Sequence, residues 1–420
     1  MTRALGVSWP IEEVRREFPA LERTVAGQPV VYLDGPGGSQ MPSVVIDALA
    51  NYWRQGSANT HGAYITSQLT DRLIEDARAA AADFLHAPAG ATISFGANMT
   101  TLSFALAEAM SGVLQPGDEL VLTDLDHDGN VAPWLRLAQR LGLVVRWAPM
   151  LPEGGTLDLE RLLGLIGPHT KLVAVVGASN ATGSVTPLAP IRARTRDVGA
   201  RLVVDAVHWA PHLPIDTGAV EPDFLLCSAY KFFGPHGVGM LYAAPGAFRG
   251  LAPARVRPQV DTPPECIETG TKNHEGLAGL VAAIDFIAGW APGEPGSRRE
   301  ALTAAMERMG AYEAELFGVL WEGLGGVPGL TRYGRAPDGG PRAPTVSFAV
   351  AGLPTPTLGR ILGDQGIFVS AGTFYAHNWD LRLEAQGGTG AVRLGLAPYN
   401  TLAEVHRAVG AIQEAVRTAG

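Results

Sequence analysis

Seven short apolar runs lie between Thr92 and Tyr242, with helical stretches between most of them. The pattern predicts strands at 92–95, 119–123, 144–148, 171–177, 201–205, 224–228 and 238–242. Most of these runs are continuously apolar rather than alternating, as strands covered on both faces are. Helical stretches at 68–85, 100–110 and 131–141 supply the cover; Leu69, Leu73, Ala77, Ala81 and Phe84 form the expected buried face of the first. Alternating strand and helix means βαβ units and a mainly parallel sheet. The last two strands are joined too briefly for a crossover helix, so they should pair antiparallel.

After Gly289 the texture changes. Ala291-Pro292-Gly293-Glu294-Pro295-Gly296 reads as a connector, followed by a long helix over 298–324. Strands at 345–350, 367–370 and 391–394 and helices at 356–365 and 402–417 follow. The expected organisation is a large α/β domain over 21–289 and a smaller α+β domain over 290–420. Residues 1–20, with a helix at 11–18, pack on the small domain.

At 420 residues, 46% hydrophobic and 17% charged, the chain has the composition of a globular protein with a substantial core. A net charge of -9 and scattered basic residues exclude a phosphate-neutralising stripe, so no nucleic-acid partner is expected. No apolar run reaches spanning length and no signal-peptide core opens the chain, so no membrane association and a cytoplasmic location are expected. The two cysteines, Cys227 and Cys266, lack metal-ligand spacing, so no metal site is expected.

Lys231 carries the chemistry. It follows the run Phe224-Leu225-Leu226-Cys227 and precedes Gly234-Pro235 and a second strand. Burial between strands lowers an amine's pKa toward the neutral form, which is the form that condenses with an aldehyde. Four more groups stand just after predicted strands, where open α/β sheets bind ligands. Ala97-Asn98-Met99 enters a helix, whose N-terminus attracts phosphate. His127 offers a flat ring. Asn180 offers an amide donor, or simply forms a turn. Asp205 ends a buried strand, where a carboxylate needs a partner or caps the next helix.

The order of these groups resembles that of fold-type I enzymes using pyridoxal 5'-phosphate, in the class V aminotransferase group close to the cysteine desulfurases. The likeness runs from Val31-Tyr32-Leu33-Asp34 to Arg393-Leu394-Gly395 and on to Thr401. Its most specific parts are His127 with Asn130 and Pro133-Trp134, Ser179-Asn180 with Gly183, Ser228 with Lys231 and Gly234-Pro235, and Gly270-Thr271.

The resemblance implies that Lys231 bonds the cofactor and shuttles the substrate's Cα proton, that Asp205 pairs with the pyridine nitrogen and that His127 stacks on the ring. It places Asn180 and His208 near the phenolic oxygen, with Ala97, Asn98, Met99 and Ser228 around the phosphate and Tyr230 beside the lysine. Thr271 would reach the phosphate of a neighbouring subunit, which implies a homodimer with shared active sites. Arg393 would clamp the carboxylate of an amino-acid substrate.

The chain departs from the desulfurase pattern at one loop. Tyr375, in Ala371-Gly372-Thr373-Phe374-Tyr375, aligns with the nucleophilic cysteine of those enzymes. His208 stands where many have glutamine, and Tyr230 where they have histidine. The expected activity is therefore amino-acid chemistry through an external aldimine, either transamination or Cα–Cβ chemistry. Tyr375, His377, Tyr64 and His61 are candidates near Cβ, with Tyr375 or His377 as a general acid. Alternatives are cysteine desulfuration or C–S cleavage without a protein persulfide, and a non-catalytic scaffold that binds the cofactor. A nicotinamide fold is disfavoured because Gly35-Pro36-Gly37-Gly38 lacks the required glycine spacing.

Overall fold

The computed structural model describes residues 6–151, 155–337, 340–385 and 390–419. The seven apolar runs form strands β1 (Thr92–Gly96), β2 (Glu119–Thr123), β3 (Val144–Ala148), β4 (Thr170–Val176), β5 (Arg201–Asp205), β6 (Phe224–Ser228) and β7 (Gly239–Ala243). They make one sheet in the order β1-β7-β6-β5-β4-β2-β3. β7 runs antiparallel to both β6 and β1, and every other pairing is parallel.

Successive residues of these strands point to opposite faces and join separate apolar clusters. Val204, Leu225, Cys227 and Met240 face one cluster; Val203, Phe224, Leu226 and Leu241 face the other. Each fully buried aliphatic side chain contributes about 1.5–3 kcal/mol. The first face is covered by helices Ile65–Leu85 and His274–Ala288, the second by Met99–Met110 and Ala132–Leu141.

The helix Ile65–Leu85 buries Ala77, Ala81 and Phe84 and half-buries Leu73, as the sequence predicts, but departs from the predicted face in its first turns. Leu69 is 41% exposed, while Ser67, Thr70 and Ile74 are buried beside Ala77, Ala81 and Phe84. The run of alanines after residue 78 packs equally well over a broad arc, so it does not fix the helix rotation.

A second sheet follows: β8 (Leu330–Tyr333), β9 (Thr345–Val350), β10 (Ser370–Gly372) and β11 (Ala391–Gly395), ordered β8-β9-β11-β10 and antiparallel throughout. Its long helix, Arg298–Gly325, starts where the Ser297 hydroxyl caps the Glu300 N–H. The N-terminal segment is tied to the same region. Trp9 Nε1 donates to the Pro398 carbonyl at 2.8 Å, and Arg15 Nη1 bonds Glu404 at 2.8 Å. Its helix, Ile11–Arg16, stops short of Phe18, which packs edge-on against Tyr399. No described helix is long and apolar enough to cross a membrane.

Candidate active site

The C-terminal ends of β2, β4, β5 and β6 open on a cavity of about 630 Å³. Ten of the residues expected at the site line it: Ala97, Asn98, Met99, His127, Asn180, Asp205, His208, Ser228, Tyr230 and Lys231. The turn between β6 and β7 places Lys231 on a single 3-10 turn, Ala229–Lys231, immediately after the last strand residue. Burial, followed by the positive charge of Arg393, pulls its amine down to about 7; Asp34 and Asp205 oppose this. The amine donates to the Pro36 carbonyl.

Asp205 is the last residue of β5, and its Oδ1 accepts the Val207 N–H at 2.9 Å. Burial pushes its carboxyl up to about 6. A carboxylate held there with one backbone donor wants a cationic or N–H partner in the cavity. His127 accepts the Gly129 N–H on Nδ1 at 2.9 Å, which leaves the ring neutral. Burial and the charges of Lys231 and Arg393 hold it down to about 4.

The helix Met99–Met110 begins at the cavity. Asn98 caps it, its side chain accepting the Thr101 N–H at 2.9 Å and Thr101 Oγ1 accepting the Asn98 N–H in return. The Asn98 carboxamide is therefore engaged by the helix, and what it adds at the cavity is backbone. Ser228 Oγ accepts the Met99 N–H at 2.9 Å, fixing the helix start against β6. Close packing here requires glycine at 239, because a Cβ would lie 2.5 Å from the Asn98 carbonyl carbon.

Six expected residues, Thr271, Arg393, Tyr375, His377, Tyr64 and His61, lie outside that lining. Thr271 is exposed and borders an adjoining cavity that shares Ala97, Thr101 and Gly237 with the first. Arg393 is buried on β11, with Nη1 on the Asn180 carbonyl at 3.2 Å and Nη2 on Asp34 at 2.9 Å and Ser370 at 3.3 Å. Its guanidinium lies 4.5 Å from the Phe374 ring centre. Tyr375 is 74% exposed and stacks on His127. Tyr64 and His61 are exposed and stand apart from the cavity lining, His61 pairing with Asp71 at 3.5 Å. Sequence reasoning did not foresee the parts played by Asp34, Pro36, Phe374 and His236. His236 stacks on Tyr230 with ring centres 5.0 Å apart. Asp34 meets Arg393 across 359 positions, so no local pattern signals the pair.

The set fits pyridoxal 5'-phosphate. A near-neutral buried amine suits its aldehyde, a buried carboxylate short of donors suits its ring nitrogen, and a capped helix N-terminus suits its phosphate. The class-V aminotransferase profile matches residues 31–408. The chain belongs to the class-V aminotransferase family. Within this family of enzymes it is 34% identical to a cysteine desulfurase of Serratia proteamaculans, covering 99% of this chain and all of the relative. Among solved members, the apo cysteine desulfurase of Thermococcus onnurineus matches with a TM-score of 0.85 and 29% identity, over 99% of this chain and 100% of that one. A cysteine desulfurase of Escherichia coli, in an S-sulfonic acid form, matches at 0.84 and 26%, over 98% and 99%. The large, mainly parallel sheet flanked by helices is the fold-type I architecture of these class-V enzymes.

Proposed function

We propose that the protein is a pyridoxal-phosphate enzyme that acts on an amino acid by transamination or Cα–Cβ chemistry. The observation that carries this reading is Lys231 and Asp205 facing one cavity with pKa values displaced toward each other, to about 7 and about 6. When bound, the cofactor supplies an aldehyde for amines and a ring that takes up electrons from Cα.

Lys231 supplies the amine for that aldehyde and, once free, moves a proton at the substrate Cα. Asp205 keeps the ring nitrogen protonated, and the neutral His127 ring offers an uncharged stacking surface. Ser228 and the start of the helix Met99–Met110 hold the phosphate. Arg393, fixed by Asp34 and Asn180, offers its guanidinium to the substrate carboxylate. A homodimer, with the exposed Thr271 reaching the neighbouring site, and a cytoplasmic location complete the proposal.

Sulfur is not carried on a cysteine of this chain in this reading. Cys227 and Cys266 are both buried, and burial raises both thiols, away from the reactive thiolate. Tyr375 stands where the desulfurase nucleophile aligns. A second reading, cysteine desulfuration or C–S cleavage without a protein persulfide, gives either alanine with the sulfur passed to a small-molecule thiol as its persulfide, or sulfide with pyruvate and ammonia, and is supported by the relatives named cysteine desulfurase.

The test is an absorbance spectrum of purified protein with added cofactor, followed by a screen of amino acids for keto-acid, alanine and sulfide products. The proposal expects a coloured complex whose spectrum changes with one class of amino acid. A protein that stays colourless contradicts it. Sulfide with pyruvate and ammonia from cysteine, or alanine with a persulfide on an added thiol, select the second reading.

A further inference from the structure

Behind the cavity wall, four buried side chains form a string: Thr345 on β9, His208 and His212 after β5, and Glu313 on the helix Arg298–Gly325. Thr345 Oγ1 lies 2.9 Å from His208 Nε2, and His212 Nδ1 lies 2.9 Å from Glu313 Oε2. The two imidazoles meet edge to face with centroids 5.1 Å apart. His208 Nδ1 and His212 Nε2 are buried without a protein partner.

Hydrogen-bond accounting fixes the direction of the string. If the Thr345 hydroxyl donates to Nε2, His208 carries its hydrogen on Nδ1 and only that donor is left over. If Nε2–H donates to Thr345, both the hydroxyl hydrogen and Nδ1 lose partners. Each unpaired buried polar group costs about 1–3 kcal/mol, so the first arrangement wins. On the adjacent ring, His212 with Nδ1–H donating to Glu313 presents a bare Nε2, the acceptor that complements His208 Nδ1–H.

We propose that Thr345, His212 and Glu313 are positioning residues that hold His208 in its uncharged Nδ1–H form at the wall of the cofactor cavity. The consequence is electrostatic. Burial first, and then the charges of Lys231 and Arg393, oppose a charge on His208. With His208 neutral, the cations of the site are the amine at 231 and the guanidinium at 393. The string stands on two hydrogen bonds and the ring contact between them, while its effect on the bound cofactor rests on the proposed function.

The experiment is nitrogen NMR of the full-length protein labelled with 15N-histidine, with and without pyridoxal phosphate, using His208→Gln to assign the signal. The expected result is a bare Nε2 and a protonated Nδ1 that do not change between about pH 5 and 8, the range in which an ordinary histidine titrates. Thr345→Val should move the signal toward the Nε2–H or charged form, and Thr345→Ser should restore it. The pH at which the bound cofactor changes colour should shift in Thr345→Val and not in Thr345→Ser. A protonated Nε2 in the unaltered protein, or a tautomer indifferent to Thr345→Val, overturns the proposal even if the protein binds the cofactor. The expected tautomer in a protein that takes up no cofactor upholds the string and overturns the functional reading instead.

Discussion

The Tyr375 ring lies over the His127 ring, with centroids 5.5 Å apart and planes tilted by 27°. The backbone clamps this contact. The Asp128 N–H donates to the Tyr375 carbonyl at 2.7 Å, and Asn180 Nδ2 donates to the Phe374 carbonyl at 2.9 Å. Phe374 and Tyr375 both take left-handed φ, 57° and 56°, a conformation that costs non-glycine residues about 1–2 kcal/mol each. A loop held this way over the cavity rim is poised to meet the substrate side chain. Tyr375→Ala should weaken substrate binding by about two- to tenfold, the worth of an aromatic pair at about 0.5–1.5 kcal/mol. The melting temperature should hardly change, since the ring is exposed. Among the described residues the Tyr375 hydroxyl makes no hydrogen bond, so Tyr375→Phe should keep turnover within a few-fold. A loss of about 10² or more would instead assign the phenol as a general acid. Steady-state kinetics of the two variants decide the matter.

Neither cysteine is needed for the reaction proposed here. The double variant Cys227→Ala/Cys266→Ala should keep its turnover, apart from a stability loss of about 1–3 kcal/mol from the truncated buried thiols. Iodoacetamide should label neither thiol until the protein is unfolded. Mass spectrometry of a persulfide on either residue after incubation with cysteine would refute this.

Capture of the cofactor needs the neutral amine of Lys231, so the rate of colour development should rise with pH and reach half its maximum near about 7. Arg393 lowers that pKa and Asp34 raises it. Arg393→Gln should therefore move the midpoint upward, and Asp34→Asn should move it downward. Arg393→Gln should also raise KM for the amino acid by about tenfold or more, since a charge-assisted contact is lost. Stopped-flow absorbance across pH gives the midpoints.

Asp126 is buried, accepts the Thr123 hydroxyl and the Asn130 amide, and has its carboxyl pushed by burial from 3.8 up to about 8. A carboxyl raised on folding holds its proton more tightly in the native state than in the unfolded one. The native protein then binds more protons between about pH 4 and 8, and stability falls as pH climbs through that window. Asp126→Asn should flatten this slope and stabilise the cofactor-free protein at the alkaline end by on the order of 1–3 kcal/mol. Chemical denaturation at pH 5 and pH 8 measures it.

The large sheet was legible because its strands are buried on both faces. Continuous apolar runs ending in polar residues gave β2, β5 and β6 to the residue, and the bounds of the edge strand β3 also match although Arg146 interrupts it. The cavity lining was legible for a related reason: the polar group after each such strand lands at one sheet edge. The helix His274–Ala288 was not marked, because HEGLAGLVAAIDFIA is apolar on nearly every side and shows no stripe. The short helix Leu188–Val198 has too little apolar surface to stand out. The Thr345–His208 contact joins residues 137 positions apart and arises from the packing of the second sheet on the first, while the Asp34–Arg393 pair joins residues 359 apart where the segment at Asp34 bridges to Gly395 of β11.

The central claim is a covalent one and can be measured directly. The protein is incubated with pyridoxal phosphate, reduced with borohydride, digested and mapped by mass spectrometry, with Lys231→Ala alongside. The account predicts a single modified lysine at 231, and no modified peptide in the variant. Label on another lysine, or an unmodified protein, would contradict it.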